Sequence, residues 1–225
     1  VDAERPNGIR LATRIPGTAG FDACVRIARS AERGRFDFVL LDFVLDSAPD
    51  PFSVLAALPA VTDRIGLVAV VDTDTAEPFD VARKLATVDH LSGGRAGWRI
   101  ADSCDRDRAE EFAAVAREFW DSWAEDAVTA DRQAGRYVDP DRIRPVEHRG
   151  AHFTVRGVAT MPRPPQRHPV LITAGLLELS GPPGEIAAEI ARHIRDGGGG
   201  VLLLDPDDGQ DGLDTIVEHL GQTAL

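Results

Sequence analysis

Residues 65–88 read IGLVAVVDTDTAEPFDVARKLATV, and the apolar period changes halfway along the stretch. Ile65 to Val71 is a near-continuous apolar run, the pattern of a strand buried on both faces of a parallel sheet. Pro78 then stands where proline suits the first turn of a helix, and Val81, Leu85 and Val88 follow at helical spacing. A buried strand followed by an amphipathic helix is one β/α unit. The same pattern extends upstream. FDFVLLDF at 36–43 predicts a strand, Asp50-Pro51 opens a helix, and Ile9 to Ile15 predicts a first strand followed by a helix over 20–32. Downstream, Arg95 to Ala101 predicts a strand. Asp107 to Ala127 predicts a long helix, with Phe112, Val115, Ala116, Phe119, Trp120 and Trp123 on one side. Further strands are expected at 170–174 and 201–204, and further helices at 185–195 and around 213–220. The class is α/β, with parallel strands and about six β/α units. A closed eight-unit barrel typically takes about 250 residues. This chain has 225 and spends the stretch at about 131–168 on a polar excursion, so either an incomplete barrel or an open sheet is expected. Residues 1–225 are read as a single domain.

Twenty-five basic residues stand against 37 acidic ones, a formal net charge of -12. That balance opposes nonspecific attraction to nucleic acid or to an anionic membrane surface. Two cysteines, Cys24 and Cys104, provide no disulfide framework, and the N-terminal residues are polar and lack the apolar core of a secretion signal, so a cytoplasmic setting is expected.

Several local patterns bear on chemistry. Gly197 to Gly200 precedes a strand instead of following one, so it ends a helix and is no dinucleotide fingerprint. His148 and His152 are four apart, but their segment does not read as helix, and no metal site is expected. The acidic residues from Asp207 to Glu218 lack the helix that precedes a calcium loop. Cys104 lies just past a predicted strand end, where β/α folds collect their active sites, yet no histidine is near it in sequence. Trp120 and Trp123 are read as core, and His90 as a cation closing a helix.

Three stretches carry a resemblance: EPFDVARKLATVDHLSGGRAGWRI at 77–100, Asp121-Ser122-Trp123, and PRPPQRHPVLITAG at 162–175. Together they resemble the bacterial luciferase-like flavin-dependent monooxygenases, in the branch that oxidises aminopolycarboxylate chelators, dibenzothiophene sulfone and related compounds. The resemblance implies a luciferase-like TIM-type β/α barrel, here a shortened one. It also implies reduced FMN supplied by a separate flavin reductase, molecular oxygen, a small-molecule substrate, and either a homodimer or pairing with a full-length paralogue. Carried over position by position, it implies flavin contacts at Asp42, Thr73, Arg99, Ser103 and Gly175, with no metal. It assigns no catalytic residue.

The departures fall at the cofactor. Arg99 stands where the family has Asn, and Asp102 where it has Thr. Leu176 and Leu177 replace the serines that hold the phosphate. A loop after Ser103 and a block of units after Gly175 are missing. Leucines offer a phosphate no donor, and a carboxylate repels it. A non-catalytic relative acting as a binding or partner subunit is therefore the competing expectation.

Overall fold

The structure, a computed structural model, describes residues 8–42, 50–173, 175–207 and 209–222. In chain order the elements are β1 (Arg10–Ile15), α1 (Phe21–Arg33), β2 (Phe38–Leu41), α2 (Pro51–Ala57), β3 (Gly66–Val71), α3 (Pro78–Ser92), β4 (Ala96–Ile100) and α4 (Arg106–Asp121). There follow β5 (Val128–Asp131), β6 (Arg136–Val138), β7 (Val146–Arg149), β8 (Thr154–Gly157), β9 (Val170–Leu171), β10 (Leu176–Gly181), α5 (Pro183–Arg195), β11 (Val201–Pro206) and α6 (Gly209–Gln222). The end of the 36–43 stretch, Phe43, lies outside the described residues, as does Ala174. The chain divides into two compact units, one reaching to Ala69 and resuming at Ile172, the other running from Val70 to Leu171.

In the first unit the strands run parallel in the order β10, β11, β1, β2, β3. Leu202, Leu203 and Leu204 of β11 and Val39 of β2 are buried on both faces, as their unbroken apolar runs require. Helices α1, α5 and α6 pack beside these strands, burying Ala28, Ile190 and Ile216. Entry into β3 is held by Glu32, whose Oε1 accepts the backbone N–H groups of Asp63, Arg64 and Ile65. Gly66 pairs with Phe38, and a Cβ there would lie 2.9 Å from the Phe38 Cβ and 3.0 Å from the Asp37 carbonyl. Only glycine lets the two strands meet at that register. Asp50 caps α2 as expected, accepting the Ser53 N–H at 2.9 Å.

In the second unit α3 and α4 pack together, and β4 pairs in parallel with β9, Gly97 opposite Val170 and Trp98 opposite Leu171. Trp98 packs against Phe112 and Trp120 of α4, and Phe112 packs in turn against Phe153. Gly93 adopts φ 66° and closes α3 with a left-handed turn. Helix α4 stops at Asp121, short of the expected Ala127; the Ser122 hydroxyl bonds back to the Phe119 carbonyl, and the Trp123 indole donates to the Ala159 carbonyl. The polar excursion is not irregular. It forms two antiparallel hairpins, β5–β6 and β7–β8.

Among the described residues β10 has one strand neighbour and so does β9. A closed barrel leaves no such edges. The fold is therefore an open, incomplete β/α barrel. Strand β10 was not expected from the sequence.

Candidate functional site

Ligands of parallel β/α folds gather at the C-terminal ends of the strands. In the second unit those ends carry the Asp72-Thr73-Asp74 turn after β3 and the 101–104 turn after β4. The Asp74 N–H bonds to Asp72 Oδ1 at 2.8 Å, a local Asx turn. The Cys104 thiol donates to the same oxygen at 3.5 Å and receives the Thr73 N–H at 3.4 Å. Arg108 Nε donates to the Thr73 carbonyl at 2.8 Å, and its guanidinium lies 4.3 Å from the centre of the Phe153 ring. The Thr73 backbone is thus held from two sides. Its side chain is 0% exposed, and its hydroxyl has no hydrogen-bond partner among the described residues.

Arg99 follows Trp98 on β4. Successive side chains of a strand point to opposite faces, and Trp98 packs on α4, so Arg99 occupies the other face. Its Nη2 donates to both carboxylate oxygens of Asp102, at 2.7 and 2.9 Å, and its side chain is 15% exposed. Ser103 is exposed in the turn between Asp102 and Cys104. Thr73, Arg99 and Ser103 are therefore joined through this one turn. Asp72, Asp74 and Cys104 are the one trio of ligand-type atoms grouped within 4.8 Å among the described residues. The trio already has a cation beside it, with Arg108 Nε 3.5 Å from Asp74.

In the first unit Asp42 directly follows β2, and both its oxygens accept from Arg14 Nη1, at 2.8 and 2.6 Å. Arg14 Nη2 donates to Glu178 at 2.8 Å, and Arg14 Nε lies 3.9 Å from Asp205. Burial alone would lower the Arg14 pKa, but the bonds and charge of Asp42, with the charges of Glu178 and Asp205, hold it above the ordinary value. Gly175 is exposed ahead of β10, and a Cβ there would meet nothing within 4 Å. Arg14 is not among the residues expected from the sequence. Its signal is a lone arginine inside the strand LATRI, between buried neighbours. Arg108 carries no such signal, because a basic residue in the first turns of a helix reads as solvated.

His148 lies elsewhere, on β7, with one ring nitrogen 3.0 Å from Glu111 and the other 3.2 Å from Glu118. Glu111 also accepts the N–H groups of His152 and Phe153. Burial would raise the Glu111 pKa, but these three donors pull it down to about 2. Burial would lower the His148 pKa, but the two glutamates raise it. A raised histidine stabilises below its unfolded value near 6.5 and loses that contribution as pH climbs through the folded value; a depressed glutamate stabilises above 4.5 and loses it as pH falls toward 2. Thermal melts from pH 2 to 9 are expected to show a plateau between these limits. The difference between wild type and His148→Gln is expected to shrink on the alkaline side. A difference that stays constant from pH 5 to 9 would contradict the assignment.

The residues quoted for the resemblance also have a visible task. Asp89 is 0% exposed and binds Gln166 and Ala96. Asp121 binds Arg167 and His168. Trp120 donates to the Ala82 carbonyl. The bonds of Asp89 and Asp121 fasten the 162–168 loop to α3, α4 and the start of β4, and the Trp120 bond ties α4 to α3. Residues 7–197 match the family described as Luciferase-like monooxygenase. The chain belongs to that family. Among its relatives, this luciferase-like chain is 36% identical over 196 residues to N-acetyl-S-(2-succino)cysteine monooxygenase of Bacillus subtilis (strain 168), covering 75% of this chain and 44% of that protein. It is 38% identical over 208 residues to nitrilotriacetate monooxygenase component A of Aminobacter aminovorans, covering 75% and 45%. A riboflavin lyase, solved with modified FMN and riboflavin, superposes with a TM-score of 0.64 at 26% identity, covering 84% of this chain and 58% of its own. The luciferase-like chain thus spans less than half the length of the two enzymes. No helix among the described residues is long and apolar enough to cross a membrane.

Proposed function

We propose that this chain works in flavin-dependent monooxygenation, taking reduced FMN from a separate flavin reductase and acting on a small organic molecule with molecular oxygen. The family and its monooxygenase relatives support the reading. The single observation that carries it is the Thr73 hydroxyl, buried at the end of β3 without a partner among the described residues. A buried hydroxyl left unpaired costs about 1–3 kcal/mol, and such a group calls for an explanation. The hydroxyl has no accessible surface, so a heteroatom of a flavin ring supplies the missing bond only once the turn after β3 shifts to admit it.

When bound, reduced flavin supplies the electrons that place one atom of O2 on the substrate and release the other as water. The chain's own residues bind and orient. Thr73 and Ser103 would offer hydroxyls to the ring edge, and the Arg99–Asp102 ion pair would stand beside them without net charge. Both units belong, in this reading, to one catalytic domain that acts in the cytoplasm as a homodimer or beside a full-length paralogue.

Thr73→Val tests the proposal. The variant keeps the shape of the side chain and removes only the orphaned hydroxyl. It is expected to unfold at the same temperature or higher, while its FMN dissociation constant rises about tenfold, the worth of one hydrogen bond. Fluorescence titration and thermal melts measure the two effects. Unchanged FMN affinity would remove the basis of the assignment.

A further inference from the structure

The β5–β6 hairpin lies wholly within the second unit. Every residue of β5 is exposed, as are Arg136 and Tyr137 of β6. Tyr137 is 66% exposed and Val128 37%. A two-stranded hairpin that stands by itself in water is marginal. This one also holds a strained residue. The ladder shifts register between Val128 and Asp131, and Ala130 inside that bulge has φ 46°, a left-handed conformation that a Cβ disfavours. A bulge interrupts the strand edge, so the hairpin is poorly built to add a strand to another sheet. It presents side chains instead, and tyrosine and arginine are enriched among the residues that carry protein interfaces.

The charge of the hairpin indicates what it meets. Asp131 is spent on its own turn, where it accepts the Gln133 and Ala134 N–H groups. Arg132 and Arg136 have no side-chain partner among the described residues. Nearby arginines do: Arg142 pairs with Asp126, Arg156 with Glu147 and Arg167 with Asp121. Residues 128–168 hold eight arginines against four carboxylates, while the rest of the chain holds 17 basic residues against 33 acidic ones. The local excess is thus opposite in sign to the whole. Two such hairpins repel each other, so the hairpin does not pair with its own kind, and the acidic remainder of a second copy attracts it. A contact between unlike surfaces closes when each copy lends the same hairpin to the other about a two-fold axis.

Resting on the homodimer of the reading above, and not on its flavin, we infer that the β5–β6 hairpin is a dimerisation arm. Tyr137, Arg132 and Arg136 hold it on the acidic surface of a second copy of this chain.

Sedimentation equilibrium of the full chain tests the arm. At about 0.05 M salt a dimer is expected, and its dissociation constant is expected to rise about tenfold at about 0.5 M salt. The double variant Arg132→Glu, Arg136→Glu sets like charges against each other and is expected to raise the constant about 100-fold. Tyr137→Ser is expected to raise it about tenfold at either salt concentration. All three positions are exposed, and circular dichroism checks that each variant is folded. A dimer whose constant moves less than about twofold in both variants would overturn the arm and leave the homodimer standing. A monomer at about 100 μM and low salt would overturn both, and would leave the hairpin to an acidic partner of another kind. FMN titration reads the flavin assignment separately.

Discussion

Asp89→Ala is expected to remove about 4 kcal/mol of unfolding free energy, the net of several buried bonds lost together. The carboxylate is 0% exposed. Its Oδ1 accepts the Ala96 N–H at 3.2 Å and the Gln166 side-chain amide at 2.6 Å, and its Oδ2 accepts the Gln166 N–H at 3.0 Å. The same amide also donates to the Ala96 carbonyl at 2.7 Å. Alanine would leave two backbone donors and one side-chain donor without their acceptor, and loss of one partner from a buried set costs more than the bond itself gained. Urea unfolding measures the change. A loss below about 1 kcal/mol would show that the 162–168 loop is held by something other than Asp89. The location explains part of the family likeness. Asp89 acts at the start of β4, while ligands gather at the strand's other end. The conspicuous run through His90, Gly93, Gly94 and Trp98 thus identifies the fold more directly than it identifies the chemistry.

Phe112→Ala is the second large effect, expected to cost about 3–5 kcal/mol by the same measurement. Phe112 is 0% exposed, with its ring centre 6.2 Å from that of Trp98 and 5.6 Å from that of Phe153. It joins β4, α4 and the segment after β7 in a single aromatic cluster. Its loss leaves a cavity bounded by rings that cannot all shift inward. Phe153 also bears the Arg108 guanidinium that holds the Thr73 carbonyl, so the variant is expected to loosen the turn after β3 as well. A loss below 1 kcal/mol would mean that the cluster repacks around the gap.

The alternation of strands and helices was legible because both kinds of element have one simple period. Strands buried on both faces show as unbroken runs, and Asp50-Pro51 and Pro78 mark helix starts that the structure retains. Strand β10 escaped because it lies at an edge. Its sequence LLELSG carries Glu178 and Ser180 where a central strand would be apolar. The β5–β6 hairpin escaped because β5 is exposed along its whole length, which leaves no apolar alternation to detect. The candidate site was legible in part. Thr73 and Arg99 were singled out, but the orientation of Arg99 follows only from seeing Trp98 packed on α4. Asp42 was singled out without Arg14, the residue that engages both its oxygens, because partners 28 residues apart leave no local trace.

The most direct measurement is the visible absorption spectrum of FMN as the full chain is added. A site at the end of β3, completed by the Thr73 hydroxyl, predicts a shift of the flavin bands that saturates at one flavin per chain and a matching rise in melting temperature. Flavin bands and melting temperature both unmoved at about 1 mM FMN, where even weak affinities register, would contradict it.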